Sequence, residues 1–397
     1  MKKLRVGVLF GGRSGEHEVS LLSAASVLKA IDKKKYQVVP IGISKDGRWV
    51  TAAHAEHLLK GQASGASRPR RLRAGDPETT SSAAVLARGE SVVVPPIPGV
   101  NHAALVPFET RSSQLHPAHS PIDVDIIFPV LHGTFGEDGT IQGLLELADI
   151  AYVGAGVLGS AAGMDKDVMK RLFRDAGLPI VKHITVLRSA WYAEPKHIRK
   201  QIEAALKYPV FAKPANLGSS VGISKVHDIS ELAAAMDEAA RYDRKIVIEQ
   251  GIGGNQGKAR EIECSVLGND NPIASLPGEV VPIKEFYDYN AKYVDKGSEL
   301  IIPAKVPRSK QTEVRQLAIA AFRAVECFGM ARVDFLMDPR TGALYVNEIN
   351  TIPGFTSISM YPKLWEATGI PYPELIDRLI QLGLERHADK KQNQYSR

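Results

Sequence analysis

Residues 330–360 read M-A-R-V-D-F-L-M-D-P-R-T-G-A-L-Y-V-N-E-I-N-T-I-P-G-F-T-S-I-S-M. Two β-rich runs, Ala331 to Met337 and Ala343 to Ile349, flank Asp338-Pro339-Arg340-Thr341-Gly342, a composition that predicts a hairpin turn. Side chains two apart on a strand share a face, so Arg332 and Asp334 point one way and Glu348 and Asn350 share a face of the second strand. If the register joins those faces, a cation, two carboxylates and an amide meet in one patch. Asp, Glu and Asn oxygens are hard ligands suited to Mg²⁺, which takes its remaining ligands from water and substrate phosphates and so implies a nucleotide. The plainer alternative is a hairpin with surface ion pairs. Pro353-Gly354 favours a site, because glycine lets a backbone N–H approach a ligand closely.

The chain of 397 residues is too long for one ordinary core and predicts two or three domains. Hydrophobic residues make up 44% and charged residues 24%, as in a water-soluble globular protein. Lys2, Lys3 and Arg5 precede an apolar run too short for a signal-peptide core, and no later run reaches membrane-spanning length. The expectation is a cytoplasmic protein with no membrane association. Cys264 and Cys327 lack metal or redox spacing and are expected to pack as small apolar residues. Net charge is +6, with a basic cluster at Arg68, Arg70, Arg71 and Arg73. Nucleic-acid binding would want aromatics among those residues, and there are none.

Leu4 to Phe10 reads as a buried parallel strand, followed by Gly11-Gly12-Arg13-Ser14-Gly15, a helix, and a second strand from Gln37 to Ile43. This βαβ start puts the glycine loop at a strand's carboxyl end, where open α/β sheets bind ligands. Glu16 opens the helix, either complementing the helix dipole or facing the cleft. Residues 51–121, rich in Ser, Ala, Arg, Pro and Gly, read as an insertion, part loop and part edge structure. A strand from Val124 to Leu131 then runs into His132-Gly133-Thr134-Phe135-Gly136-Glu137-Asp138-Gly139 and a helix from Thr140 to Leu147.

Gly154-Ala155-Gly156-Val157-Leu158-Gly159 matches the dinucleotide fingerprint, but a basic helical segment follows in place of a strand ending in an acid. These glycines therefore read as an interdomain hinge, with a dehydrogenase the lesser alternative. A second module follows, with helices over 166–176 and 194–207 and strands over 184–187 and 209–213. Its loop Lys213-Pro214-Ala215-Asn216-Leu217-Gly218-Ser219-Ser220-Val221-Gly222 offers a cation, hydroxyls and amides to phosphate oxygens, without being a P-loop. A strand ending at Glu249 links to the last module. There Glu261 to Gly268 forms a strand, Phe286 to Tyr293 an aromatic and polar loop, and a helix precedes the opening hairpin.

Seven runs, G-G-R-S-G-E-H-E-V-S, H-G-T-F-G-E-D-G-T-I-Q-G, G-M-D-K, K-P-A-N-L-G-S-S-V-G, Y-D-Y-N-A-K-Y, A-R-V-D-F and N-E-I-N-T-I-P-G-F-T-S, occur in the order found in the D-alanine:D-alanine ligases of the ATP-grasp superfamily. The chain resembles that family over most of its length outside the insertion. The resemblance implies an α/β fold, α+β in the ATP-grasp modules, with three domains. A Rossmann-like N-terminal parallel-sheet domain would span 1–155, with the insertion at about 51–121. A central subdomain would span 156–250 and a catalytic domain 251–397. It implies ATP-dependent ligation of two D-alanines through a D-alanyl phosphate, releasing ADP and phosphate, for peptidoglycan precursor synthesis.

In that resemblance Lys166, Lys213 and Lys292 reach phosphates, Ser220 joins the phosphate loop, and Glu249 with the backbone near Ile252 holds the adenine. Phe286 packs on the adenine and Glu261 binds the ribose. Asp334, Glu348 and Asn350 hold two Mg²⁺, with Mn²⁺ able to substitute. Glu16, close to His132, binds the first D-alanine's ammonium; Arg332 and the Gly354 amide are oxyanion donors; Ser359 and Met360 hold the second carboxylate. Glu16, Ser219 and Tyr293 form a hydrogen-bonded set across the site, with the Ser219 and Tyr293 loops as lids. The family also implies a homodimer. Gln250 departs from the family, many of whose members carry lysine there. A D-alanine:D-lactate ligase and a non-catalytic ATP-binding protein of the same fold are the alternatives.

Overall fold

The computed structural model describes residues 3–51, 90–96, 103–111, 114–117, 121–253, 258–282 and 298–395. The fold is mixed α/β with several sheets. It divides into one unit of Met1–Gly154 with Ile352–Arg397 and a second of Ala155–Thr351. Among the described residues no helix is long and apolar enough to cross a membrane.

In the first unit the strand Leu4–Gly11 lies between Tyr36–Ile43 and Ile126–Pro129, parallel to both. Val6, Val8, Leu9 and Phe10 are fully buried, the continuous apolar run that a strand covered on both faces requires. The expected strand from Val124 to Leu131 is interrupted at Asp125. Its carboxylate accepts the Arg5 backbone amide at 2.6 Å and the Arg5 guanidinium at 3.0 Å. The preceding piece, Ile122–Val124, pairs antiparallel with Ala103–Arg111 instead. The described part of the insertion is strand: Trp49–Thr51, Glu90–Val93, Ala103–Arg111 and Gln114–Pro117 extend one edge of the sheet in antiparallel register. Its remaining residues, with the Arg68 to Arg73 cluster, lie outside the described residues.

The C-terminal helix Tyr372–Lys390 packs on this same unit. A Cβ added at Gly383 would come 2.8 Å from the Tyr152 carbonyl, so the close approach needs glycine. Arg386 lies 4.0 Å from the Tyr152 ring centroid, and the Tyr36 hydroxyl donates to Asp377 at 2.5 Å.

The second unit holds two sheets whose strand pairs are all antiparallel. The four-stranded sheet runs in the order Ser224–Val226, Val210–Pro214, Lys245–Gln250, His183–Leu187. The six-stranded sheet runs Ser298–Ile301, Gly278–Pro282, Arg260–Gly268, Gly329–Met337, Leu344–Asn350, with Ile273–Ala274 paired to Arg260–Gly268. Ile262, Cys264, Val266, Val333, Phe335 and Val346 turn inward against Ala318 and Phe322 of the helix Arg308–Ala324. Each such large side chain contributes roughly 1.5–3 kcal/mol on burial. The polar residues alternating with them must therefore share the opposite face.

The helix expected over 194–207 is Pro195–Ala205, and a short helix that was not expected, Arg188–Ala193, precedes it. Proline disfavours helical geometry in the residue before it, and Glu194 sits at φ −136°. The fingerprint glycines open the helix Val157–Met164, and the division between units falls just after Gly154. A Cβ on Gly159 would lie 2.6 Å from the Glu326 carbonyl, so this glycine serves helix packing. Cys264 and Cys327 are buried and form no disulfide, and burial pushes the Cys264 thiol up to about 12.

Candidate active site

On the six-stranded sheet the register sets Arg332 opposite Asn350 and Asp334 opposite Glu348 across one strand pair. Across the other it sets Ser265 opposite Arg332 and Glu263 opposite Asp334. The four hairpin residues thus share one face, and Glu263, which the sequence reading passed over, joins them. The Arg332 guanidinium donates twice to Asp334, Nε to Oδ1 at 2.7 Å and Nη2 to Oδ2 at 2.6 Å. Asn350 Nδ2 donates to Asp334 Oδ2 at 3.1 Å, and Glu263 Oε2 lies 2.9 Å from Arg332 Nε. The Arg332 guanidinium is set against the carboxylates of Glu263 and Asp334, and the register places Glu348 beside them. The oxygen donors of Asp334, Glu348 and Asn350 suit magnesium. Among the described residues no three His, Cys, Asp or Glu side chains form a ready-made metal cage. Two carboxylates and an amide leave coordination positions for phosphate oxygens, as magnesium sites usually do.

Lys166 and Lys213 belong to the same unit. Asp165 caps the helix Lys166–Asp175, accepting from the Asp167 and Val168 amides at 3.1 Å, and so fixes Lys166 at the first helical position. Lys166 Nζ donates to the Leu217 carbonyl at 2.7 Å, tying down the loop that carries Ser219 and Ser220. Both serines adopt the left-handed conformation, φ 53° and 59°, which costs non-glycine residues about 1 kcal/mol or more each.

Glu249 is 2% exposed and is held between two lysines, Lys213 Nζ at 2.6 Å and Lys170 Nζ at 3.0 Å. Burial alone would raise its carboxyl, but the charges of Lys170 and Lys213 outweigh this and hold it at about 2. Lys170 is fully buried; burial works against its charge and Glu249 works for it, with a net lowering. Lys170 is the second residue the sequence reading missed. Its signal was the four-residue spacing from Lys166, which puts both ammonium groups on one helix face. Gln250 turns elsewhere: its Oε1 accepts the Lys207 amide at 3.0 Å. Ile252 follows the end of this strand, and Glu261 shares the polar sheet face with Glu263. Phe286, Lys292 and Tyr293 lie outside the described residues.

Glu16, His132, Gly354, Ser359 and Met360 fall in the first unit. Glu16 stands at the start of the helix His17–Ala30 but makes no capping hydrogen bond. Its carboxylate lies over Gly133, where an added Cβ would come 2.5 Å from Oε2. His132 is buried, with Nδ1 3.0 Å from the Ile352 carbonyl and Nε2 2.9 Å from Ser23 Oγ. A carbonyl only accepts, so Nδ1 carries the proton and Nε2 accepts from Ser23. Burial lowers the imidazole's pKa, and nearby Glu16 only partly opposes it. Glu137, also missed, joins two segments: Oε2 accepts the Gly133 amide at 2.7 Å and Oε1 the Ile352 amide at 3.3 Å. Ser359 Oγ accepts the Thr356 amide at 3.1 Å, and a Cβ on Gly354 would lie 3.2 Å from it. The Met360 side chain is buried, leaving its backbone as the first residue of the helix Met360–Ala367. A cleft of about 290 Å³, lined by Gly11, Gly12, Arg13, Leu131, His132 and Phe135 among others, opens at the carboxyl ends of the parallel strands.

Residues 5–155 match the family described as D-ala D-ala ligase N-terminus, and residues 172–381 the one described as D-ala D-ala ligase C-terminus. A D-alanine–D-alanine ligase of Thermoanaerobacter sp. (strain X514) is 51% identical over 98% of this chain and 99% of its own. One from Heliobacterium modesticaldum is 48% identical over 99% of this chain and 98% of its own. Among solved structures, the D-alanine–D-alanine ligase from Coxiella burnetii has a TM-score of 0.77 and 36% identity, covering 99% of this chain and 97% of that one. The VanG D-Ala:D-Ser ligase from Enterococcus faecalis has a TM-score of 0.76 and 33% identity, covering 96% and 100%.

Proposed function

The chain belongs to the D-alanine–D-alanine ligase family, and from this we propose how its residues divide the work of joining two D-alanines at the expense of ATP. It is an ATP-dependent ligase whose small-molecule substrates are D-alanine and ATP, and its dipeptide serves peptidoglycan synthesis. The observation that carries the division of roles is the polar sheet face where Arg332, Asp334, Glu348 and Asn350 are brought into register.

In this reading Glu16 takes the ammonium of the first D-alanine, beside a neutral His132. The carboxylate of that D-alanine attacks the γ-phosphorus of ATP, the bond to ADP breaks, and ADP departs, leaving a D-alanyl phosphate. Such a transfer depends on positioning and charge neutralisation. Lys166 and Lys213 supply cations, with Ser219 and Ser220 on the loop that Lys166 anchors and Lys292 from the aromatic loop. The backbone around Glu249 and Ile252 and the ring of Phe286 hold the adenine, and Glu261 the ribose. Asp334, Glu348 and Asn350 would hold two magnesium ions, replaceable by manganese, which spread the negative charge of the phosphates when bound.

The amine of the second D-alanine, held by Ser359 and the Met360 amide at a helix N-terminus, then attacks the acyl carbon. Arg332 and the Gly354 amide donate to the developing oxyanion. The carbon–oxygen bond to phosphate breaks, phosphate leaves, and the amine sheds its proton. Ser219 and Tyr293 close over the site with Glu16, because an acyl phosphate exposed to water would hydrolyse. The three-domain ATP-grasp layout, a homodimer and a cytoplasmic location complete the reading and rest on the resemblance to the family.

Phosphate release from MgATP with D-alanine, against L-alanine as control, tests it. Release that depends on D-alanine, with dipeptide formed in step, is the expected result. ATP binding without release would leave a binding protein in its place. D-serine and D-lactate offered in competition across pH test the acceptor, since one similar structure is titled a D-Ala:D-Ser ligase.

A further inference from the structure

We propose that Glu263 is a positioning residue for Arg332: the second carboxylate that keeps the guanidinium aimed once Asp334 has turned its oxygens to a metal ion. The proposal rests on the ligase reading above. Glu263 stands directly opposite Asp334 in the antiparallel register, with Arg332 two residues back on the same face. Arg332 Nε is 2.7 Å from Asp334 Oδ1 and 2.9 Å from Glu263 Oε2. Nε has one hydrogen, directed at Asp334, so Glu263 waits as an alternative acceptor already at hydrogen-bond distance.

The apolar side of this strand is filled by Ile262, Cys264 and Val266. Glu263 is 9% exposed and faces another carboxylate across the strands, an arrangement that is unfavourable unless a cation lies between them. Arg332, 2.9 Å away, is a cation the structure places there.

Asp334 meanwhile accepts two hydrogen bonds from Arg332 and one from Asn350. Oδ2 already accepts from both Arg332 Nη2 and Asn350, so a metal ion drawn to that carboxylate competes with these bonds for lone pairs and loosens the hold of Asp334 on Arg332 in the state that reacts. A freed arginine side chain would wander, and catalysis falls steeply when a donor is out of place. A small rotation hands Nε–H to Glu263 and holds the guanidinium where the oxyanion forms. Glu263 touches no reacting atom.

The test uses Glu263→Gln in the full chain. Turnover should fall about tenfold or more while KM for ATP stays within about twofold of the parent. Binding of manganese with ADP, followed by electron paramagnetic resonance, should match the parent. In an Arg332→Ala background the substitution should cost nothing further, because both changes remove the same alignment. Glu263→Asp, which keeps the charge, should recover part of the loss, and it stands in should the glutamine variant unfold. Unchanged turnover, losses that multiply in the double variant, or manganese binding that falls in step with turnover would each overturn the assignment. A parent lacking D-alanine-dependent phosphate release would sink the ligase reading itself, a result distinct from a neutral Glu263→Gln.

Discussion

Arg332 and Asp334, two residues apart on one strand, are joined by two parallel hydrogen bonds, Nε to Oδ1 at 2.7 Å and Nη2 to Oδ2 at 2.6 Å. The bidentate geometry fixes both the plane and the direction of the guanidinium, which a lysine could not reproduce.

Arg332→Ala is therefore expected to reduce dipeptide formation by more than about a hundredfold, since one oxyanion donor is worth roughly 3 kcal/mol. ATP affinity should persist, because the phosphate-facing lysines lie elsewhere. Steady-state kinetics beside calorimetric nucleotide binding separates the two, and full turnover would remove Arg332 from the mechanism.

Lys170→Met should destabilise the protein by about 3 kcal/mol, because it leaves a fully buried carboxylate with one partner fewer. Urea unfolding reads the loss, and adding Glu249→Gln should restore part of it. The folded-state pKa of Glu249 is depressed from 4.5 to about 2. Its contribution to stability is present above pH 4.5 and disappears as pH falls toward about 2. Glu249→Gln should flatten that part of the stability profile.

His132 should be neutral at pH 7 and protonated on Nδ1. Burial lowers its pKa below 6.5, so the unfolded chain takes up a proton first, and acidification below that point costs stability. Nitrogen-15 imidazole spectra across pH check both the tautomer and the titration. A ring that titrates above 6.5 would contradict the burial argument.

Gly159→Ala should lower the unfolding temperature while leaving KM for ATP unchanged. The new methyl would meet the Glu326 carbonyl at 2.6 Å, a steric cost of about 1–3 kcal/mol. A parallel loss of nucleotide affinity would return these glycines to a phosphate-binding role.

The hairpin patch was legible because strand periodicity is local. Alternation alone put Arg332 with Asp334 and Glu348 with Asn350, and the turn composition limited how the strands could meet. The helix opening at Lys166 was legible in the same way, although its cap, Asp165, showed only in the structure. Glu263 was harder to see. Its strand alternates plainly, but its link to Arg332 depends on a pairing between segments about 70 residues apart, whose register no local pattern specifies. Lys170 read as one more basic residue on a helix until the strand carrying Glu249 came against it.

By itself, the sequence determined the opening strand, helix and strand, the polar face of the 330–350 hairpin, and which family the chain resembles. Hydrophobic period, capping and turn chemistry act over a few residues and leave their mark in order. Only the tertiary structure decided that Glu249 sits between two lysines, that Asp334 is shared by Arg332 and Asn350, and that the last helix packs beside Tyr36 and Tyr152. Those are pairings of charges and surfaces far apart along the chain. Burial removes the water that would otherwise screen them, and it is burial that settles which partner each group keeps.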